Sequence, residues 1–308
     1  MSNLTAAVLA DVHGNYRALG ACLDYARARG ADQYLFLGDY VTDHPYPRRV
    51  MELLYAVADR HSCRFIRGNR EDYMIDYRKN GGRDGSGAAW RDCSAQGALL
   101  HCYENLTDRD VDWFESLPIS GVWRPEGAPP VAYCHGSPER TKDEMRGDHR
   151  SLEMLGEVPA DLLVKGHNHR RWMLAHRGKR LVCAGSVGNP IDRRAQPGLV
   201  VETELAKAAQ MAFLHLEEGR WRVEYARVPY DWQGAVEDLK TSGLYRRAPV
   251  WAALLRYNIL TGCDPCNVVP TRAAALYAQE TGQAAPWSAV PEPYWERAAA
   301  DFYINTTF

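Results

Sequence analysis

Along the first third of the chain, short apolar runs alternate with stretches whose apolar positions recur at helical spacing. The runs TAAVLAD, QYLFLGD and CRFIRGN read as strands. Tyr16 to Arg29, closed by Gly30, then Arg48 to Arg60, then the stretch from Glu71 onward read as helices. This rhythm predicts βαβ units around a parallel core. From Ala88 to Leu117 the pattern is helical again, with Thr107 and Asp110 spaced as a capping box. The glycine-rich KNGGRDGSG at 79–87 is expected to be a mobile link between helices.

Strand signals return in SGVWR, VAYCHG, DLLVKGH, RWMLAH, KRLVCAG and GLVVE. Short turns such as Arg177-Gly178-Lys179 join several of them, which predicts a largely antiparallel half. A further hairpin, MAFLHLEEGRWRVEYARV, turns at Glu218-Gly219, and from about Asp231 to Phe308 the chain is helical and rich in Trp, Tyr and Ala. The expected division is a domain over 1–230, with a helical insertion at about 71–117, followed by a helical C-terminal extension over 231–308.

At 308 residues and 46% hydrophobic content, the chain can fill one large core, with room for an appendage. Its formal charge of −2 comes from 37 basic and 39 acidic residues that are spread rather than blocked. That leaves no footprint for nucleic acid or an anionic membrane, so any anion must be gripped locally. The N-terminal MSNLTAAVLADVHG has no basic n-region, its apolar stretch is cut at Asp11, and no run is long enough to span a bilayer. The eight cysteines are scattered, several inside apolar runs, so a cytoplasmic protein with free thiols is expected. Cys263 and Cys266 have clip spacing, but no second ligand pair stands nearby in the sequence.

The chemistry collects at the strand ends. Asp11-Val12-His13-Gly14, Gly38-Asp39, Gly68-Asn69, His135-Gly136 and Gly166-His167-Asn168-His169 each carry metal-ligand side chains just past an apolar run. Residues two apart on extended backbone point the same way, so Asp11 with His13, and His167 with His169, can each converge on one pocket. One such piece alone says little. The ordered set points to a metal centre.

This set resembles the calcineurin-like metallophosphoesterase family, whose pattern runs DxH, GD, GNH followed by Asp or Glu, a later His, then GHxH. LGDYV, LTDRDVDWFESLP, CHGSP and AGSVGNPID are similar to segments of its bacterial phosphodiesterase-like branch, over about residues 4–205. The resemblance implies an α/β fold: a two-layer mixed β-sheet core flanked by helices as a four-layer sandwich. It also implies two divalent transition metal ions. Asp11, His13, Asp39 and His169 would hold one and Asp39, Asn69, His135 and His167 the other, with Asp39 as the bridge. Asn69 is a neutral amide ligand that completes a shell without repelling phosphate. Two carboxylates and a bridging hydroxide against two divalent ions leave the centre net positive toward a phosphoryl group. Imidazole, carboxylate and amide ligands suit Mn or Fe first, and also Zn, Co or Ni.

The implied reaction is hydrolysis of a phosphate ester or anhydride, on a small phosphodiester, a nucleotide or a dinucleoside polyphosphate. A protein Ser/Thr phosphatase shares the metal motifs, and a non-catalytic scaffold shares the fold; a scaffold should show gaps among the ligands, and none is present. The chain departs from the family at Arg70, where the pattern has His. Arginine can grip phosphoryl oxygens but cannot give up a proton near neutrality. His44, just after the Asp39 loop, is the candidate acid. Arg70, Arg140 and Arg170 flank ligand motifs and are candidate substrate contacts. The C-terminal aromatics Trp251, Tyr257, Trp287 and Tyr294 are expected to pack or to support a homo-oligomer.

Overall fold

In the computed structural model, which describes residues 4–199 and 202–308, β1 (Thr5–Leu9), β2 (Gln33–Phe36) and β3 (Ser62–Phe65) pair in parallel. A helix follows each strand: α1 (Tyr16–Ala28), α2 (Pro47–Ala58) and α3 (Asn69–Lys79). The starts have local causes. The Asn15 side chain accepts from Ala18 N to cap α1, and Pro47 takes the first position of α2, where no N–H is needed. In the insertion, α4 (Gly97–Glu104) precedes α5 (Asp108–Ser116), and the Thr107–Asp110 capping box closes as expected, with Thr107 N donating to Asp110 Oδ2 at 2.8 Å.

The second sheet holds β4 (Ser120–Trp123), β5 (Val131–Cys134), β6 (Leu162–Lys165), β7 (Arg171–His176) and β8 (Lys179–Ala184), in the order β4-β5-β6-β8-β7. Here the expectation of a largely antiparallel half fails. β5–β6 and β6–β8 are parallel, and only β4–β5 and β7–β8 are antiparallel. The cause is α6 (His149–Glu157), a helix the apolar pattern did not announce, which lies between β5 and β6 in the crossover that a parallel pair requires. The expected strand GLVVE does not form at Gly198-Leu199, which lie in a turn; its residues 200–201 lie outside the described residues.

Further on, β9 (Arg193–Arg194) is short, while β10 (Ala208–Glu217) and β11 (Arg220–Pro229) form the predicted hairpin. β10 runs antiparallel to β1, so the first sheet reads β11-β10-β1-β2-β3. Ala6, Val8, Leu35, Val131, Val164, Val182 and Leu214 pack between the two sheets, while separate clusters fill the space under α1–α3 and under α6. Helix, sheet, sheet and helix therefore form four layers. The chain ends in α7 (Trp232–Thr241), α8 (Leu244–Arg247), α9 (Pro249–Thr261), β12 (Cys263–Asp264), α10 (Val268–Thr281) and α11 (Glu292–Asp301). These helices pack around Val250, Leu254 and Trp295, joined by Ala98 of α4, and β12 pairs with β9. All eight cysteines are free, and no helix among the described residues is long and apolar enough to cross a membrane.

Tyr40 ties the ends of β2 and β3 together: its fully buried hydroxyl lies 2.6 Å from Ile66 O and 3.0 Å from Phe36 O. Tyr40→Phe removes the donor and should cost about 1–3 kcal/mol of folding stability, read from the urea midpoint at unchanged slope. An unchanged midpoint would show that Ile66 O finds another donor.

Candidate metal centre

Every predicted ligand sits at the carboxyl end of a strand, where open α/β sheets place ligands. Asp11 and His13 follow β1, Asp39 follows β2, Asn69 opens α3 just past β3, His135 follows β5, and His167 and His169 follow β6. The backbone there is unusual. Asp11, His13, Asp39, His167 and His169 have φ of 55°, 51°, 54°, 70° and 54°, in the left-handed region that costs a side-chain-bearing residue on the order of 1 kcal/mol or more. Ladder-like bonds between loops hold them there, with Asp11 N donating to Gly38 O at 3.0 Å, His13 N to Asp39 O at 2.9 Å and Gly14 N to Tyr40 O at 2.9 Å.

Their side chains gather in two groups, Asp11/His13/His169 and Asp39/His135/His167, with the ligand atoms of each group within 4.8 Å of one another. His13 Nε2 lies 2.9 Å from His169 Nε2, which lies 3.5 Å from Asp11 Oδ1. In the second group, His135 Nε2 lies 3.3 Å from Asn69 Oδ1 and 3.4 Å from Asp39 Oδ1. Asp39 Oδ2 turns the other way, 3.7 Å from His13 Nε2. Asp39 thus offers one oxygen to each group.

The outward ring nitrogens decide what the inward ones can do. His135 Nδ1 donates to Leu37 O at 2.6 Å and His169 Nδ1 to Asn189 O at 3.0 Å; His13 Nδ1 lies 3.1 Å from Asp43 Oδ2, off the ideal line. Carbonyl and carboxylate oxygens only accept, so each Nδ1 carries hydrogen and each neutral ring turns an Nε2 lone pair inward. With the rings neutral, lone pairs face lone pairs across 2.9 Å and 3.3 Å, on side chains that are buried except for the half-buried His167 and His169. Such a set of nitrogen and oxygen donors fits two cations.

The titration of the metal-free groups says the same. Burial would lower His135, but Asp39 and Asp11 outweigh it and push it up to about 9; burial would also lower His13, and Asp43 and Asp39 raise it instead. Burial and His135 pull His167 down to about 3, and burial with His13 pulls His169 well below its ordinary value. Burial, with Asp39 nearby, raises Asp11 to about 6. Without a cation, the shifts of His13 and His135 run toward the protonated ring, the direction expected where lone pairs crowd one another.

Three residues not singled out in the sequence hold this arrangement. Glu71, fully buried, accepts from Gly68 N at 2.7 Å and from Asp39 N and Tyr40 N at 2.8 Å, locking two ligand loops together. Burial and Asp39 push its carboxyl up to about 7. Asn189, inside AGSVGNPID, donates to Asp43 Oδ2 at 3.0 Å while its carbonyl orients His169. Asp43 stands behind His13 and also 3.6 Å from the Arg70 guanidinium. Only Glu71 had a signal, as the acidic residue after the GNH position.

A cavity of about 1250 Å³ opens over the centre, lined by His13, Asp39, Asn69, His167 and His169 on one side and by residues of α4, α9 and α10 on the other. Arg70 and Arg170 line it; Arg140, exposed, does not. The Arg70 backbone N donates to Asp39 Oδ1 at 2.8 Å, its Nε has no partner, and its charge is reinforced, against burial, by Asp43 and Asp39. His44, the candidate acid, is 3% exposed and is not among the residues lining the cavity; its Nε2 lies 3.0 Å from Asn189 Oδ1, and burial pulls it down to about 4. Position after the Asp39 loop did not tell which side of the loop it faces.

The sequence pattern of the calcineurin-like phosphoesterase family matches residues 4–183. The chain belongs to this family. It is a metallophosphoesterase, a phosphoric ester hydrolase with a mixed two-sheet core. Among curated proteins, an uncharacterized protein of Methanocaldococcus jannaschii is 24% identical over 256 residues, 80% of this chain and 94% of the relative. Among solved structures, a hypothetical protein of Pyrococcus horikoshii has a TM-score of 0.65 at 21% identity, covering 84% of this chain and 98% of that one. A metallophosphoesterase of Sphaerobacter thermophilus has a TM-score of 0.57 at 22% identity, covering 80% and 98%. At these identities the solved structures confirm the fold.

Gly68 is where the centre leaves no room. A Cβ there would fall on Asp39 Oδ1, 2.6 Å from Asp39 N and 2.9 Å from His135 Cε1. Gly68→Ala should therefore lose bound metal by elemental analysis, by roughly 10–100-fold in affinity as for other disturbed ligand supports, while far-UV circular dichroism stays unchanged. Full metal content in the variant would show that the ligands tolerate the displacement.

Proposed function

We propose that the chain hydrolyses small phosphodiesters or nucleotide anhydrides, using two divalent ions, Mn or Fe first, held by Asp11, His13, Asp39, Asn69, His135, His167 and His169. The observation that carries this reading is the pair of facing lone-pair groups with Asp39 turned to both, beside a guanidinium that lines the same cavity. When bound, the ions supply Lewis acidity toward phosphoryl oxygens and lower the pKa of a water. The chain's own residues do the rest. Asp43, Leu37 O and Asn189 O face the outward ring nitrogens and set the imidazole tautomers, and Arg70, which lines the cavity, grips phosphoryl oxygens through its planar fork. On this reading residues 1–230 form the catalytic unit, 231–308 close the cavity, and the enzyme works in the cytoplasm on phosphorylated small molecules.

Chelation should abolish hydrolysis of bis(4-nitrophenyl) phosphate, and Mn or Fe should restore it with more than one ion per chain. Asp39→Asn should lose more metal and more rate than Asp11→Asn, with a rate loss above roughly 100-fold, beyond what outer-shell changes cost. Full activity without metal would sink the mechanism, and equal losses in the two variants would remove Asp39 as the bridge.

With arginine at position 70 and His44 enclosed, no proton donor faces the departing oxygen from these two positions. Across aryl esters of graded leaving-group pKa, kcat/KM should fall steeply as the leaving group becomes more basic. Arg70→Ala should cost about 10²-fold, or about 3 kcal/mol, as a preorganised electrostatic donor would. A flat dependence in the unmodified protein, or no loss in Arg70→Ala, would reduce Arg70 to a bystander.

A further inference from the structure

The cavity is larger than the centre needs. Whole drug-sized ligands fit pockets of about 300–1000 Å³, and this one measures about 1250 Å³. Its far wall combines β9 with the helices that end the chain. β9 brings Arg194, α9 brings Trp251, and the single 3₁₀ turn Trp287–Ala289 brings Trp287.

Charge and shape on that wall are specific. The Arg146 and Arg272 guanidiniums are already paired, with Glu144 and Asp301. Arg170 and Arg194 also line the cavity, and neither has an ion pair or a side-chain hydrogen bond among the described residues. These two free cations line the cavity in addition to Arg70, which pairs with Asp43. The same cavity is lined by flat aromatic faces. Of the exposed large apolar side chains among the described residues, Met173, Leu199, Leu205, Trp287 and Tyr303, Trp287 is the one that lines the cavity, at 39% exposure. Trp251 also lines it, 8% exposed, with an indole N–H that has no acceptor.

We infer that this wall is a second subsite, which holds the planar ring and the outer phosphoryl group of a nucleotide-type anhydride while the reacting phosphoryl group lies at the metal centre. Unpaired guanidiniums suit a second anionic group, and tryptophan faces suit a base, whose π face stacks whatever its identity. A simple phosphate ester would leave both unused. The inference rests on the hydrolase reading above, and its test separates the two.

The Mn-loaded full chain should be compared with Arg194→Gln and Trp287→Ala, both at exposed positions, on diadenosine tetraphosphate and on bis(4-nitrophenyl) phosphate. Each substitution should raise KM for the dinucleotide about tenfold, the scale of one base stack or one charge-assisted contact, with little change in kcat. KM for the small diester should rise far less. Calorimetric titration with α,β-methylene ADP should show the same tenfold weakening in both variants, and ribose 5-phosphate, which lacks the base, should bind more weakly than the nucleotide to the unmodified chain. Equal effects on both substrates, no effect on either, or equal binding of nucleotide and ribose phosphate would overturn the subsite. If the unmodified chain hydrolysed neither substrate, the hydrolase reading would fall, and the titration would still decide the subsite.

Discussion

Lone pairs pointed at lone pairs are the constraint on which the rest of this structure depends. His13 Nε2 and His169 Nε2 face each other at 2.9 Å, and His135 Nε2 faces Asn69 Oδ1 at 3.3 Å, with Nδ1 of His135 and His169 bonded to backbone carbonyls and Nδ1 of His13 beside Asp43. In a buried pocket such an arrangement is repulsive unless something positive lies between. The left-handed backbone at five of the ligands adds strain of its own. Strain and repulsion of this kind persist only where the surroundings over-determine them, and binding of cations to the folded state offsets both.

The surroundings do over-determine them. The Glu71 carboxylate binds backbone N–H groups on both sides of the gap between the Asp39 and Asn69 loops, so neither loop can relax without stranding a buried charge. From the opposite sheet, the loop after β8 reaches across: Ser186 Oγ donates to Asp11 O at 2.8 Å, and Asn189 bridges Asp43 and His169. Lys165, fully buried at the end of β6, bonds the Asn168 side chain between the two histidine ligands of that loop. Ligands from both sheets are thus fixed to one another before any ion arrives, which is the preorganisation that metal-assisted chemistry requires.

What the sequence disclosed follows from the range of each signal. Strand-end ligands were legible because a two-residue spacing and an adjacent glycine act locally, as in Asp11-Val12-His13-Gly14 and Gly166-His167-Asn168-His169. The first sheet was legible because TAAVL and QYLF are apolar at every position after the first, where both faces are covered. The parallel core of the second sheet was not. Its direction turns on α6, a helix of nine residues with only Ser151 and Leu155 buried, too short and too weakly apolar to register as a crossover. Asp43 and Asn189 escaped for another reason. Their partners lie in the loops after other strands and at the start of α3, and nothing in GDYVTDH or GSVGNP tells which polar side chain turns inward.

The C-terminal helices show how one apolar signal can serve two ends. Val250, Leu254, Leu255 and Ile259 of α9 pack as their composition suggests, yet the same helix sends Trp251 and Asn258 to the cavity wall. Asn258 Nδ2 donates to Pro190 O at 3.1 Å, and Asp192 N donates to Gly262 O at 2.8 Å. Residue 190 directly follows Asn189, the support of His169. The wall is therefore tied to the chemical floor through one loop, while its own side chains are not ligands. In that arrangement the floor is constrained by lone-pair geometry and can change little, whereas wall residues such as Arg194 and Trp287 can change without disturbing it. On the subsite inferred above, selectivity is set by wall residues on which the strand-end motifs are silent.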